Sequence, residues 1–148
     1  MIHIYTDGSS SGAVGPGGWA FAAFDVGGAE IHAASGGARV TTNNRMELIA
    51  IMRALRWADG RECLVHSDSQ LCINTLSVWG PAWEAAGWKK KTKGEIANLD
   101  VVQAALPLYR VSRATLQWVR GHNGTPGNER ADQLAGEARR KILEIIAA

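Results

Sequence analysis

The opening of the chain constrains the fold most, because a strand pattern from Ile2 to Asp7 leads into a glycine-rich turn from Gly8 to Gly18. Apolar and β-prone residues run straight into a carboxylate, and glycine then frees the backbone. A domain that opens on such a strand is expected to place it at the centre of its sheet. Because α/β folds gather functional groups at the carboxyl ends of their strands, Asp7 is predicted to lie where the chemistry occurs.

The remaining pattern predicts one mixed sheet. Glycine turns join the first strand to strands over Gly18–Phe24 and Glu30–Ser35, the latter running toward Arg39, which indicates an antiparallel meander. The later elements are predicted as a helix over Asn44–Ala58, a strand over Cys63–Asp68, a helix over Ser69–Leu76, a helix over Asn98–Leu108, a strand over Ala114–Arg120, and a final helix with Thr125 as N-cap and Pro126 in its first position. The order β-β-β-α-β-α-α-α-β-α predicts an α/β fold, in which a five-stranded mixed sheet carries parallel strands 4 and 5 and has helices on both faces.

Size and composition fit one globular domain spanning residues 1–148. The net charge of only +2 does not by itself indicate a nucleic-acid binder. The two cysteines, Cys63 and Cys72, lie in predicted elements and are expected to be small buried groups in a reducing compartment. The sequence shows neither a signal pattern nor an apolar run near 18 residues, so we expect a cytoplasmic protein without a membrane span.

Four acidic residues are candidates for a metal site. Asp7 and Asp68 each end a predicted strand, Glu47 lies in the first turn of the long helix, and Asp132 lies two turns into the final helix. Carboxylates that converge without a basic partner repel one another, and a bound divalent cation offsets that repulsion. Oxygen ligands alone favour Mg²⁺, for which Mn²⁺ can substitute, over zinc.

Each acid also has a simpler interpretation, and spacing alone leaves both open. Asp7 fits a turn, and Asp68 fits a cap for the next helix. Glu47 fits a capping box in which Asn44 is the N-cap. Asp132 fits a solvated position on its helix.

Five stretches of the sequence together resemble the bacterial type 1 ribonuclease H family, in the family's order and over nearly the whole chain. They are "YTDGSSSGAVGPGGWA", "TTNNRMEL", "SDSQ", "GWKKKTKGEIANLD" and "WVRGHNGTPGNERADQLA". The resemblance implies the fold predicted above and a Mg²⁺-dependent endonuclease that hydrolyses the RNA strand of RNA–DNA hybrids, leaving 5′-phosphate and 3′-hydroxyl ends.

The resemblance also implies roles for five residues. Asp7, Glu47, Asp68 and Asp132 would be the metal-binding carboxylates for two ions, with Asp7 bridging both. Asp132 would complete the site of the ion that holds the attacking water, and Glu47 and Asp68 the site beside the leaving oxygen. His122 would assist catalysis or product departure, although a surface loop histidine is the plain alternative.

Substrate contacts are implied in two regions. A DNA-strand phosphate would be held at the start of the long helix by Thr42, Asn43 and Asn44. Gln70 would touch the minor groove, and Trp79 would pack on a deoxyribose. The lysines of a basic protrusion would add salt-dependent phosphate contacts; they are Lys89, Lys90, Lys91 and Lys93. Helix capping and core packing are the alternatives for these residues, and we expect Trp83 and Trp88 to be core.

Two departures from the family pattern and two rival functions remain. Glu84-Ala85-Ala86 makes the protrusion less basic, and Ala13-Val14 replaces an amide-bearing pair, so we expect weaker binding of the RNA–DNA hybrid or a steeper Mg²⁺ dependence.

A junction resolvase or transposase-like nuclease of the same fold is one rival, and a non-catalytic hybrid-binding module is the other. We expect a monomer with no obligate protein partner.

Overall fold

The computed structural model describes residues 1–92 and 94–148, so the predicted contact by Lys93 falls outside the described residues. The strands are β1 (Ile2–Ser10), β2 (Gly15–Phe24), β3 (Glu30–Thr41), β4 (Cys63–Ser67) and β5 (Ala114–Trp118). The α-helices are α1 (Asn43–Ala58), α2 (Gln70–Asn74), α3 (Gly80–Ala85), α4 (Leu99–Val111) and α5 (Pro126–Ala147), and a π-helical turn over Thr75–Trp79 joins α2 to α3. Within these two ranges, every helix is too short or too polar to cross a lipid bilayer.

The sheet has the order β3-β2-β1-β4-β5, so the first strand is central, as predicted. β1 pairs antiparallel with β2, and β2 pairs antiparallel with β3, which confirms the meander. β4 runs parallel to β1 and to β5. The predicted mixed five-stranded sheet is therefore confirmed.

The first strand is longer than predicted, because it continues past Asp7 to Ser10. Ser9 and Ser10 pair with Gly18 and Gly17 of β2, which keeps the hairpin extended despite the low strand propensity of these residues. The parallel pairing with β4 nevertheless stops at Thr6 and Ser67. The two residues that follow this last pair are the two predicted aspartates, which therefore emerge side by side.

Helices cover the sheet on opposite faces. Helix α1 buries an apolar face that includes Met46 and Ile51, which pack with Ile4 of β1 in the main core. Helix α5 lies on the other face over β1, β2 and β3. Its buried face is made of small residues, including Ala131 and Ala135, which let the helix approach the sheet closely.

The N-termini of the two long helices differ from the predictions. Thr42, not Asn44, caps α1, since its side chain accepts a hydrogen bond from the Arg45 amide at 3.2 Å. The predicted capping box of Asn44 with Glu47 is therefore wrong, and Glu47 lies in the second turn of the helix. Thr125 occupies the N-cap position of α5 as predicted, but its side chain makes no capping hydrogen bond.

Candidate metal centre and substrate groove

Three of the four predicted carboxylates form one cluster at the edge of the sheet. Each of Asp7, Glu47 and Asp68 offers an oxygen atom, and these atoms lie within 4.8 Å of one another. They come from three separate elements: β1, the second turn of α1 and the residue that follows β4. The convergence is thus a product of tertiary structure and not of a local motif.

A glycine next to Asp7 brings Glu47 into the cluster. A Cβ atom on Gly8 would collide with the Glu47 backbone nitrogen and would lie 2.8 Å from Met46 Cβ. Only glycine therefore lets α1 pack so closely on β1 at this point. The Gly8 amide also donates a hydrogen bond of 2.9 Å to Asp7 Oδ1, which fixes one face of that carboxylate.

Burial and mutual repulsion favour the protonated forms of the three acids. Burial, then the charge of Asp68, raises the pKa of Asp7 to about 8. Burial, then the charges of Asp68 and Asp7, raises the pKa of Glu47 to about 9. Burial also raises the pKa of Asp68, although the hydrogen bond with Glu47 and the charge of His122 partly oppose it. Near neutral pH the cluster therefore holds protons that a cation would displace.

Asp132 and His122 complete the surroundings of the cluster. Asp132 lies close enough to Asp7 for its side chain and its charge to raise the pKa of Asp7, so the fourth predicted carboxylate lies near the other three. His122 is exposed on the loop between β5 and α5, has a left-handed backbone with φ of 55°, and lies close enough to act on Asp68. Asp132 and His122 thus lie near the three clustered acids.

The donor set of the cluster suits a hard divalent cation. Every donor is a carboxylate oxygen, and Glu47 Oε2 is buried without a hydrogen-bond partner. Unpaired buried oxygens next to other carboxylates carry a high desolvation and repulsion cost, which a cation with oxygen preference removes. The residues present therefore fit Mg²⁺ or Mn²⁺, and neither cysteine lies among them.

The N-terminus of α1 borders this cluster and opens onto a groove. Asn43 Oδ1 accepts a hydrogen bond of 2.6 Å from the Ser10 amide, so its side chain joins the helix to the end of β1. Asn44 is exposed and lines a groove of about 240 Å³ together with Trp79, Trp83 and Lys90. The structure thus brings the predicted phosphate seat and the predicted tryptophan into one surface.

The other predicted substrate residues are distributed around this groove. Gln70 is exposed on α2, and its amide donates to Asn74 at 3.2 Å. Trp79 is 38% exposed, with its ring centroid 6.4 Å from that of Trp83. Trp83 and Trp88 are partly buried against the core, in keeping with the core interpretation. Two of the lysines are exposed and one is half-buried in the described part of the chain; they are Lys89, Lys91 and Lys90 respectively.

Sequence reasoning did not identify two residues that contact Asp68. The indole N–H of Trp118 donates to the Asp68 carbonyl at 3.3 Å. A Cβ atom on Gly121 would lie 2.8 Å from Asp68 Oδ2, so the loop before α5 presses its backbone on that carboxylate. The glycine directly before His122 was a signal in the sequence, but nothing in its spacing indicates that it touches Asp68.

The fold and the site define an α/β protein with a partly buried carboxylate cluster at one sheet edge, which fits a divalent cation, beside an aromatic and basic groove. The profile of the RNase H family matches residues 1–140. Among curated proteins, the chain is 46% identical over 136 residues to the Ribonuclease H of Cupriavidus metallidurans, covering 90% of this chain and 92% of that protein. It is 44% identical over 141 residues to the Ribonuclease H of Syntrophomonas wolfei, covering 93% and 94%.

Solved structures agree with these relatives. The crystal structure of LC9-RNase H1, a type 1 RNase H with the type 2 active-site motif, is 30% identical, with a TM-score of 0.81, and the match covers 95% of this chain and 72% of that one. LC11-RNase H1 in complex with RNA/DNA hybrid is 26% identical, with a TM-score of 0.73 and coverage of 97% and 99%. The chain belongs to the ribonuclease H family, whose members are metal-dependent enzymes that act on the RNA of RNA–DNA hybrids.

Proposed function

We propose that this protein binds RNA–DNA hybrids and cuts their RNA strand as a Mg²⁺-dependent endonuclease, with residues 1–148 acting as one catalytic domain. The observation that carries the assignment is the cluster of Asp7, Glu47 and Asp68, whose oxygens lie within 4.8 Å of one another. The membership of this chain in the ribonuclease H family supports the choice of RNA–DNA hybrid as the substrate. The protein acts as a monomer in the cytoplasm.

The four carboxylates would hold two Mg²⁺ ions, with Asp7 shared between them. Asp132 would serve the ion on the side of the attacking water, and Glu47 and Asp68 the ion on the side of the leaving oxygen. When bound, such a pair of ions lowers the pKa of water and stabilises the charge on the attacking and leaving oxygens of an in-line displacement. The products are a 5′-phosphate and a 3′-hydroxyl.

The residues of the chain perform three tasks in this reaction. Burial and repulsion keep Asp7 and Glu47 protonated without metal, with pKa values of about 8 and about 9, so the site gives up protons as it loads. Glu47 also offers an oxygen to the ribose 2′-hydroxyl, the group that separates RNA from DNA. His122, exposed beside Asp68, exchanges protons with the product side of the site.

The groove beside the site binds the DNA strand. The backbone N–H groups at the start of α1 have no partner within the helix, and together with the side chains of Thr42, Asn43 and Asn44 they bind a phosphate. Trp79 presents an exposed ring for a deoxyribose, and Gln70 lies toward the minor groove. The lysines of the protrusion add electrostatic contacts that do not depend on base sequence; they are Lys89, Lys90, Lys91 and Lys93.

A substrate panel tests the assignment. Uniformly labelled RNA–DNA hybrid, duplex DNA, single-stranded RNA and a four-way DNA junction are each incubated with the protein and Mg²⁺ and resolved on one gel. The assignment requires cleavage of the RNA strand in the hybrid only, with 5′-phosphate ends and no cleavage when EDTA replaces Mg²⁺. Cutting of the junction with the hybrid left intact would instead favour a resolvase, and binding without cutting would favour a hybrid-binding module.

A further inference from the structure

Arg139 of α5 carries a guanidinium group to the turn between β1 and β2. Its Nη1 donates a hydrogen bond of 3.1 Å to the Ser11 hydroxyl. The helix cannot shift easily at this point, because Ala135 and Ala138 on the same face are buried against the sheet. The neighbouring turn residues Ala13 and Val14 have apolar side chains, so the polar side chains at this turn include those of Ser10, Ser11 and Arg139.

The positive charge of Arg139 lacks an anionic partner. Its Nε is buried and makes no hydrogen bond. The ion pairs found over residues 1–92 and 94–148 join other residues, so no carboxylate in that part of the chain neutralises Arg139. A guanidinium has five N–H donors, and leaving most of them unused in a partly buried position is costly. Because Nε is buried, an anion at the surface of this turn would have to bind the terminal nitrogens of the guanidinium, of which Nη1 already contacts Ser11.

The position of Arg139 relative to the catalytic cluster specifies the anion. Arg139 follows Asp132 by seven residues, which is two turns on one face of α5 and a rise of about 10 Å. Each strand of a nucleic-acid duplex advances about 3.4 Å per nucleotide, so an RNA strand that runs along α5 from the cluster would bring a phosphate about three nucleotides from the cleaved bond to Arg139. The groove assigned to the DNA strand lies beside α1 and α2, whereas α5 packs on the opposite face of the sheet.

We propose that Arg139, held by Ser11, binds a phosphate of the RNA strand about three nucleotides from the cleaved bond. The proposal rests on the proposed function, since it assumes that the RNA strand passes over the carboxylate cluster and is cut there. Arginine suits this task because its planar fork binds two phosphate oxygens at once. The contact adds affinity that does not depend on base sequence and fixes the register of the RNA strand on α5.

Salt-dependent binding tests the contact. Hybrid affinity is measured by fluorescence anisotropy in an Asp7→Asn background, so that the RNA is not cut, with Arg139→Ala compared with the matched control Arg140→Ala on the exposed side of α5. Loss of one phosphate contact reduces the slope of log Kobs against log[KCl] by about 0.7–0.9. The ratio of variant to parent Kd should therefore shrink about threefold between about 50 and 200 mM KCl, and Arg140→Ala should leave the slope unchanged.

Neutral linkages assign the strand. A series of hybrids is prepared, each with one uncharged methylphosphonate linkage at a different RNA position near the cut. The difference in hybrid affinity between parent and Arg139→Ala should disappear for a single RNA position, about three nucleotides from the cleaved bond. The same effect from a DNA-strand linkage, or an unchanged salt slope, would overturn the proposal. Arg139→Gln, which keeps the side-chain length, replaces Arg139→Ala if the alanine variant melts early. Cleavage of the hybrid by the wild-type chain is scored separately, so failure of the enzymatic assignment remains distinguishable.

Discussion

The metal-free protein should become more stable when Asp7 is replaced by asparagine. Asp7 is only 6% exposed, and burial together with the neighbouring acids raises its pKa from 3.8 to about 8. A carboxyl group with a raised pKa in the folded state costs stability as pH rises above its unfolded value, and the loss is complete above the folded value. Asparagine carries no charge to bury, and its Oδ1 can still accept the hydrogen bond from the Gly8 amide.

The magnitude follows from the pKa shift. One pKa unit is worth about 1.4 kcal/mol, so the penalty of Asp7 is about 2 kcal/mol at pH 5 and at most about 5 kcal/mol at pH 8. The free energy of unfolding of Asp7→Asn should therefore exceed that of the parent by an amount that grows by about 3–4 kcal/mol between these pH values. For a domain of this size, 1 kcal/mol corresponds to about 2–4 °C in Tm.

The assay is urea unfolding of both proteins in EDTA at pH 5 and pH 8. The comparison cancels titrations that the two proteins share, among them the buried His66, whose pKa burial lowers to about 4. Asp100→Asn is the control with the opposite sign, because the hydrogen bond and ion pair with Arg45 hold the pKa of that exposed acid at about 2. That change should cost 0–1 kcal/mol. An Asp7→Asn protein no more stable than its parent at pH 8 would refute the argument that the cluster is strained by unneutralised carboxylates.

Three further predictions concern capping, the loop against Asp68 and proton release. Thr42→Ala should lower the free energy of unfolding by about 1 kcal/mol, because the α1 cap is lost. Thr125→Ala removes no capping hydrogen bond and should change the free energy of unfolding much less. Equal losses for the two variants in urea unfolding would contradict this prediction. Gly121→Ala should push Asp68 aside and raise the Kd for Mg²⁺ by about tenfold in calorimetric titration, and the distant turn variant Gly27→Ala should bind Mg²⁺ as the parent does. Mg²⁺ binding at pH 7 should release protons, seen as a binding enthalpy that varies with the ionisation enthalpy of the buffer, and a buffer-independent enthalpy would show that the acids are already ionised.

The sequence predicted the sheet well because its signals are local and agree with one another. The strand pattern from Ile2 and the short glycine turns after it determine an antiparallel hairpin, and the helix after β3 returns the chain to a parallel neighbour. The convergence of Asp7 and Asp68 follows from the same reasoning, since each comes directly after a parallel-paired residue. These features needed no information beyond strand order.

The start of α1 could not be predicted so well, because two overlapping patterns compete. Asn44 followed by Glu47 fits a capping box, but Thr42 followed by Arg45 places the cap two residues earlier. Close packing of the helix on Gly8 accompanies this register and puts Glu47 in the second turn, where its carboxylate faces the cluster and not the helix end. Thr42 and Asn44 are both acceptable as caps on local grounds, and the observed cap at Thr42 occurs together with the tertiary contact between α1 and Gly8.

The positions of Asp132 and His122 relative to the cluster could not be predicted from local sequence patterns either, because they depend on tertiary packing. Nothing in the spacing of Asp132 or His122 reveals which strand end they approach, because that depends on how α5 and its preceding loop pack on the sheet. The resemblance of "WVRGHNGTPGNERADQLA" to the ribonuclease H family supplied this information. Trp118 and Gly121, which contact Asp68, were not identified by either route.

Turnover of RNA–DNA hybrid by the wild-type chain and by Asp7→Asn, measured side by side in saturating Mg²⁺, tests the carboxylate cluster most directly. If Asp7 helps to hold both ions, the variant should fold, bind hybrid and lose nearly all cleavage, because the ions that activate the water and stabilise the leaving oxygen would no longer be held in place. Cleavage by Asp7→Asn at a rate near that of the wild type would contradict the account and remove the cluster from the chemistry.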